Sequence, residues 1–404
     1  MERQPLKLLN FATLLQQQRY IVAISFLFYI SNGLTFSDFL LFQSIFYFTG
    51  LLAEIPAGYI GDIFPRKNVL IFSYMLFMVR ILMWIFVPNY FTILLGEILY
   101  GLSKAFYRGV SDGYIYDYLK INNNTKLMLN RYGKFNFFMS MGTAISCLFG
   151  AFLYKYVGFS VLLCFELFFN STAIFILFFL PQVPQIKKSI SFEKHIFRLF
   201  RIIRNTVKNS KINMYILYGG ILSGITSIFV WNFQPLMKSC AVPTFLFGVV
   251  YFINHILRAF SSANADNVLS KISLIKTGWL TWIGYLLCFI FLISANVIKK
   301  SDICIEMLIL VCFAIGIQMI FSVGNLSRVH SLIPSSSRAT ISSVSSMLAS
   351  LFSGVFLMIF KLLSENNSIK LSLGVFMILF FSVIIILMLL TVRAKNYESQ
   401  NIEV

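Results

Sequence analysis

Four ionisable residues, Glu97, Lys104, Arg108 and Asp112, stand inside one otherwise apolar run. At 100° per residue on a helix they fall within about 80° of one another, so they form a single polar stripe. Asp117 points roughly opposite to the centre of that stripe and is free for a separate task. Glu54, Arg80, Glu166, His255 and Arg258 occupy similar apolar surroundings. An ionisable side chain in a lipid-spanning segment is costly, and it normally faces a cavity or a partner. A carboxylate there can carry a proton if closing and opening the site changes its proton affinity. Glu54 and Asp112 are the leading proton-carrier candidates, with Glu97 beside them. Arg80, Lys104, Arg108 and Arg258 rival the acids in number, and Arg suits carboxylate or phosphate. With His255 and Gln318 they make a cavity that could receive an anionic or zwitterionic group. The bland alternative is that these charges pair with one another and only hold helices together; Arg108 and Asp112, at i and i+4, could satisfy each other.

The elements that would position these residues are long apolar helices. The chain has 404 residues, 58% of them hydrophobic and 12% charged, and its net charge is +18. Soluble domains carry roughly 25% charged residues, so the bilayer is the natural solvent for this sequence. Its basic residues sit in short clusters between apolar runs, which is a membrane pattern rather than a nucleic-acid-binding one. Twelve runs approach the ~20 residues a spanning helix needs: 20–36, 38–60, 68–88, 90–113, 134–153, 158–180, 213–233, 243–261, 276–295, 303–325, 341–362 and 370–392. The first reads as a retained helix rather than a removed signal peptide. With both termini in the cytoplasm, 23 Lys and Arg fall on the inner side and five on the outer, counting Arg3, Lys7 and Arg19 as the inner N-terminus. That asymmetry supports twelve crossings of a bacterial inner membrane.

The expected organisation is an N-terminal six-helix bundle over 1–180, a cytoplasmic amphipathic linker over 181–212 and a C-terminal bundle over 213–404. In the linker, Ser191 to Arg204 separates apolar and basic residues onto two helical faces, as a helix lying on an anionic leaflet would. Paired six-helix halves with a solute site between them are a common transporter plan. The six cysteines form no CxxC pair and the three histidines are scattered, so no metal or cofactor is expected. No HExxH or Walker loop is present, so an enzyme is not expected.

Gly58-Tyr59-Ile60-Gly61-Asp62-Ile63-Phe64-Pro65-Arg66-Lys67 resembles motif A of the major facilitator superfamily, G-x-L-A-D-x-x-G-R-K/R. Gly61 replaces the usual Ala and Pro65 the second Gly. Glu54-Ile55-Pro56-Ala57-Gly58 resembles the E-I-P-x-G stretch of its drug-efflux members. Arg108 to Leu119 is similar to S-G-x-x-E-A-x-x-Y-D-x-L of one efflux subset, with Arg108 departing from Ser and Gly113 from Ala. Ile333-Pro334-Ser335-Ser336-Ser337-Arg338-Ala339-Thr340 is similar to the family's I-P-x-x-x-R-A-T before the eleventh helix. The resemblance implies an all-α membrane protein of two pseudo-symmetric six-helix bundles. It also implies a latch in which Asp62 meets the start of helix eleven, near Arg338 and Thr340, while Arg66 pairs with Asp117. Glycines such as Gly58 would let helices approach closely.

The function expected from this resemblance is secondary active export, coupled to protons, by a monomer in the lipid bilayer. The cargo would be a small toxic or secreted compound. Length, basicity and an AT-rich codon flavour are similar to those of self-immunity exporters of peptide–nucleotide antibiotics of the microcin C type, whose phosphoramidate would suit a cationic cavity. The competing reading is a proton symporter that imports a nutrient anion or siderophore. No nucleic-acid partner is expected.

Overall fold

The computed structural model describes residues 4–124, 127–184, 210–298, 300–332 and 338–366, and no strand occurs among them. The first crossing is broken. Helix α1 (Gln4–Gln16) is followed by irregular chain, a 3₁₀ turn at Val22–Ile24 and helix α2 (Ser25–Ser31). The expected start at residue 20 is therefore sixteen residues late. Lys7, Asn10 and the run Gln16-Gln17-Gln18-Arg19 make this stretch too polar for a hydropathy reading. Leu6, Leu9, Ala12 and Leu15, at helical spacing, are nevertheless buried.

Asn32-Gly33-Leu34 turns the chain, with Gly33 at φ +78°, into α3 (Phe36–Ile63). A capping box starts α3: the Asp38 carboxylate accepts the Thr35 N–H at 2.8 Å and Thr35 Oγ1 accepts the Asp38 N–H at 3.1 Å. Pro65 ends the helix, and α4 (Arg66–Phe86), α5 (Tyr90–Ile121) and α6 (Met128–Phe178) follow. At 1.5 Å per residue the 51 residues of α6 would extend about 75 Å, more than twice a ~30 Å hydrocarbon core. Gly158, at φ +71°, breaks α6 into the two expected crossings.

The second bundle comprises α7 (Ser210–Ser239), α8 (Thr244–Ala263), the short α9 (Ala265–Leu269), α10 (Leu274–Ile298), α11 (Ser301–Ser331) and α12 (Arg338–Asn366). Eleven crossings thus lie among the described residues. The twelfth run, 370–392, and the amphipathic helix expected within the linker fall outside them. Helix α5, charged along one face, and the broken first crossing are the two that long apolar composition alone misses among the described residues.

The two ends of the molecule differ in how the bundles meet. Toward Gly33, one buried apolar cluster runs through both bundles, from Phe26, Phe39 and Trp84 to Phe229, Phe233 and Phe247. Toward Pro65, the first bundle keeps its own core around Tyr74, Tyr107 and Leu177, and the second a smaller one around Ile216 and Ile341. The pairs α6/α8 and α3/α12 flank the seam between the bundles. The α6/α8 approach is close: a Cβ on Gly248 would stand 2.6 Å from the Cys147 carbonyl oxygen.

Candidate functional site

The Pro65 loop holds its basic residues by direct bonds. Arg66 Nε donates to Asp117 Oδ2 at 2.7 Å. Lys67 Nζ donates at 2.5 Å to the Phe178 carbonyl, at the C-terminal end of α6, where a cation meets unpaired carbonyls. A Cβ on Gly113 would overlap the Arg66 guanidinium, so the departure from Ala at this position makes room for the ion pair. Gly61 serves close packing in the same way: a Cβ there would stand 2.9 Å from Val110 Cγ2. Gly58 does not, because nothing lies within 4 Å of its Cβ position; the close approach expected of it belongs to Gly61. Asp62 is exposed. The side chains of Arg338 and Thr340, its expected counterparts, lie outside the described residues.

The polar stripe of α5 divides into two groups. Glu97 and Asp112 share a face but stand fifteen residues apart, roughly 22 Å along the axis, and so they meet different neighbours. Glu97 is 3% exposed and belongs to the interior of the first bundle. It accepts from Tyr29 Oη at 2.9 Å and from Arg80 Nη2 at 3.4 Å. The Arg80 guanidinium lies 3.7 Å from the Trp84 ring centroid. Arg80 and Glu97 therefore stand as a buried pair, away from the seam where both were expected.

Lys104 and Arg108 form the second group, at the seam. Both are exposed. Arg108 Nη1 donates to Ser346 Oγ of α12 at 2.8 Å, and Lys104 Nζ sits 4.9 Å from the Phe46 ring centroid. Arg108 lies within electrostatic reach of Glu54, Asp112 and Lys104 in its own bundle and of Arg258 in the other. Tyr47 of α3 lies near Arg108 and Arg258, and His255 lies one turn from Arg258 on α8. Three cations and two carboxylates from both bundles thus face one another across the seam. Gln318 is buried and donates to Ser322 Oγ at 2.6 Å within α11, so its bond is local.

Two residues important to this region escape a reading of the sequence. Arg19, expected among the basic residues of the N-terminus, lies instead at the break between α1 and α2. Its guanidinium donates to Tyr100 Oη and stacks over the Phe77 and Tyr100 rings. The break also exposes backbone groups that helices would satisfy. Glu166 Oε1 accepts the Ile21 N–H at 2.8 Å. Gln234, from α7, accepts the Phe26 N–H at 2.7 Å and donates to the Val22 carbonyl at 2.9 Å. The signal for Arg19 was its position after three consecutive glutamines, a polar interruption in a helix whose apolar spacing continues on both sides.

A broken first crossing, two bundles joined at one end and a charged seam between them define a membrane transporter. The sequence matches the Major Facilitator Superfamily over residues 8–358; the chain belongs to that family. Its structure is similar to the crystal structures of the nucleoside transporter NupG and of a mutant of that transporter, each with a TM-score of 0.74 over 96% of this chain and 98% of that one, at 11% and 12% identity. It is also similar to a bacterial homolog of the human lysosomal transporter Spinster in an inward-facing, unoccupied conformation, with a TM-score of 0.69 over 90% of this chain and 83% of that one, at 14% identity. At these identities the likeness is one of fold. No curated protein sequence matches the chain.

Proposed function

We propose that this transporter is a proton-coupled exporter of a small anionic or zwitterionic compound. The observation that carries the reading is the juxtaposition of Lys104, Arg108 and Arg258 from both bundles at one seam. Like charges in low dielectric repel strongly, and an acidic cargo between them relieves that repulsion. Glu54 and Asp112 share Arg108 as electrostatic neighbour, so a proton arriving on either changes the field the cargo feels. Export follows from the resemblance of Glu54 to Gly58 and of Arg108 to Leu119 to efflux members. A peptide–nucleotide antibiotic of the microcin C type is the first cargo to test, since its phosphoramidate is an anion.

In this reading the protein works as a monomer in a bacterial inner membrane, with the Pro65 end in the cytoplasm. Removing Arg19 from the inner loops leaves 22 basic residues there against five outside, so the charge asymmetry persists. The Arg66–Asp117 pair and Asp62 then belong to the cytoplasmic latch.

The test is expression in a sensitive strain exposed to the antibiotic, together with uptake into proteoliposomes under an imposed pH gradient. Resistance and accumulation in inside-out vesicles are expected. Glu54→Gln and Asp112→Asn should abolish pH-driven transport, and Arg108→Ala should abolish cargo binding. Increased sensitivity on expression would overturn the export direction and favour import of a nutrient anion. Undiminished pH-driven transport in both acid variants would remove Glu54 and Asp112 from the coupling step.

A further inference from the structure

We infer that Arg19, in the break of the first crossing, is an anion-recognition residue that continues the cationic surface of the seam past Lys104 toward the Gly33 end. The inference rests on the reading of the seam as the cargo path, and it adds a second contact point for an acidic group.

The first observation is the company Arg19 keeps. Arg80 has Glu97 as a direct ion-pair partner. Arg19 has aromatic and neutral partners instead: Tyr100 Oη, Gln16 Oε1 at 3.4 Å, and the Phe77 and Tyr100 rings at 5.1 and 4.8 Å. Its Nε is buried without a hydrogen-bond partner. Glu166, an acid that acts on it electrostatically, spends one carboxylate oxygen on the Ile21 N–H. Among the described residues no carboxylate contacts the Arg19 guanidinium, and a planar donor fork with spare hydrogens is suited to an oxyanion.

The second observation is where Arg19 stands. The Tyr100 ring that it covers is stacked on Phe46 at 4.6 Å, and Phe46 carries Lys104 at 4.9 Å. One aromatic stack therefore separates the Arg19 and Lys104 cations. Arg19 also acts electrostatically on Lys104 and, across the seam, on His255. It is half-buried rather than closed off. The cations then run as a ladder, from Arg108 and Arg258 through Lys104 to Arg19, with Glu54 and Asp112 beside its Arg108 end.

The test reads local potential by thiol labelling and requires no knowledge of the cargo. Cys164, the exposed native cysteine among five buried ones, is replaced by Ser and Arg19 by Cys. Rates are measured with an anionic and a cationic methanethiosulfonate reagent on purified protein. Neighbouring cations should raise the anionic-to-cationic rate ratio at position 19 about tenfold above that of a free thiol, and Lys104→Met should lower it. If Arg19→Cys does not purify as a monodisperse protein, Tyr100→Cys reports on the same space with Arg19 intact. A thiol unreactive to both reagents, or a ratio equal to that of free thiol, would overturn the assignment. Either outcome leaves the export assays untouched, so the two readings fail separately.

Discussion

Gln234→Leu should loosen the Gly33 end of the transporter and shift it toward its other state. Gln234 is fully buried on α7. It accepts the Phe26 N–H at 2.7 Å and donates to the Val22 carbonyl, Ser25 Oγ and Tyr251 Oη at 2.9, 3.3 and 3.0 Å. Three of these partners belong to the broken first crossing, in the opposite bundle, and two of those are backbone groups that the break leaves without helical bonds. Leu fills much of the same volume and supplies none of the bonds. Leaving one buried backbone group unpaired costs about 1–3 kcal/mol, although hydrogen bonds within membranes are often worth only about 0.6 kcal/mol. A loss of about 2 kcal/mol confined to the closed Gly33 end changes the ratio of states roughly 30-fold. Spin labels at Asn89 and Asp302, at that end of the two bundles, give the assay: pulsed dipolar spectroscopy should show a longer-distance population in the variant that is minor in the wild type. An unchanged distance distribution together with an unchanged melting temperature would refute the claim that Gln234 holds this end shut.

Two further outcomes follow from the packing. Gly113→Ala places a methyl group on the Arg66 guanidinium and should lower stability by about 1–3 kcal/mol, read as thermal unfolding in detergent; in an Arg66→Ala background the same change should cost far less, because the two residues share one contact. Arg80→Met strands the buried Glu97 carboxylate and should cost about 3–5 kcal/mol, whereas Arg80→Met with Glu97→Met should recover most of the loss. Equal destabilisation by the single and double changes would show that the pair holds no mutual charge compensation.

What the sequence reveals here follows the physics of each signal. Runs of apolar residues report lipid contact directly, so α3, α4, α8, α10 and α12 are legible within a few residues, and Gly158 marks the boundary between the two crossings of α6. The first crossing is not legible in that way. Its beginning is buried against α6 rather than facing lipid, and it tolerates Lys7, Asn10 and the Gln16–Arg19 run; hydropathy therefore places its start at the wrong end of that polar interruption. A helical projection orders the charges of α5 by angle alone. Angle places Glu97 with Arg108 correctly, but depth along the axis decides that Glu97 meets Arg80 and Tyr29 while Arg108 meets Ser346. The partners that separate an internal pair from a cargo contact come from other helices, and no single helix pattern holds that information. Arg66 and Asp117 became legible because a family motif stores the contact between two helices as a spacing within each. Arg19 has no such motif; its setting is made by tertiary neighbours, Tyr100 and Phe77, contributed by two other crossings.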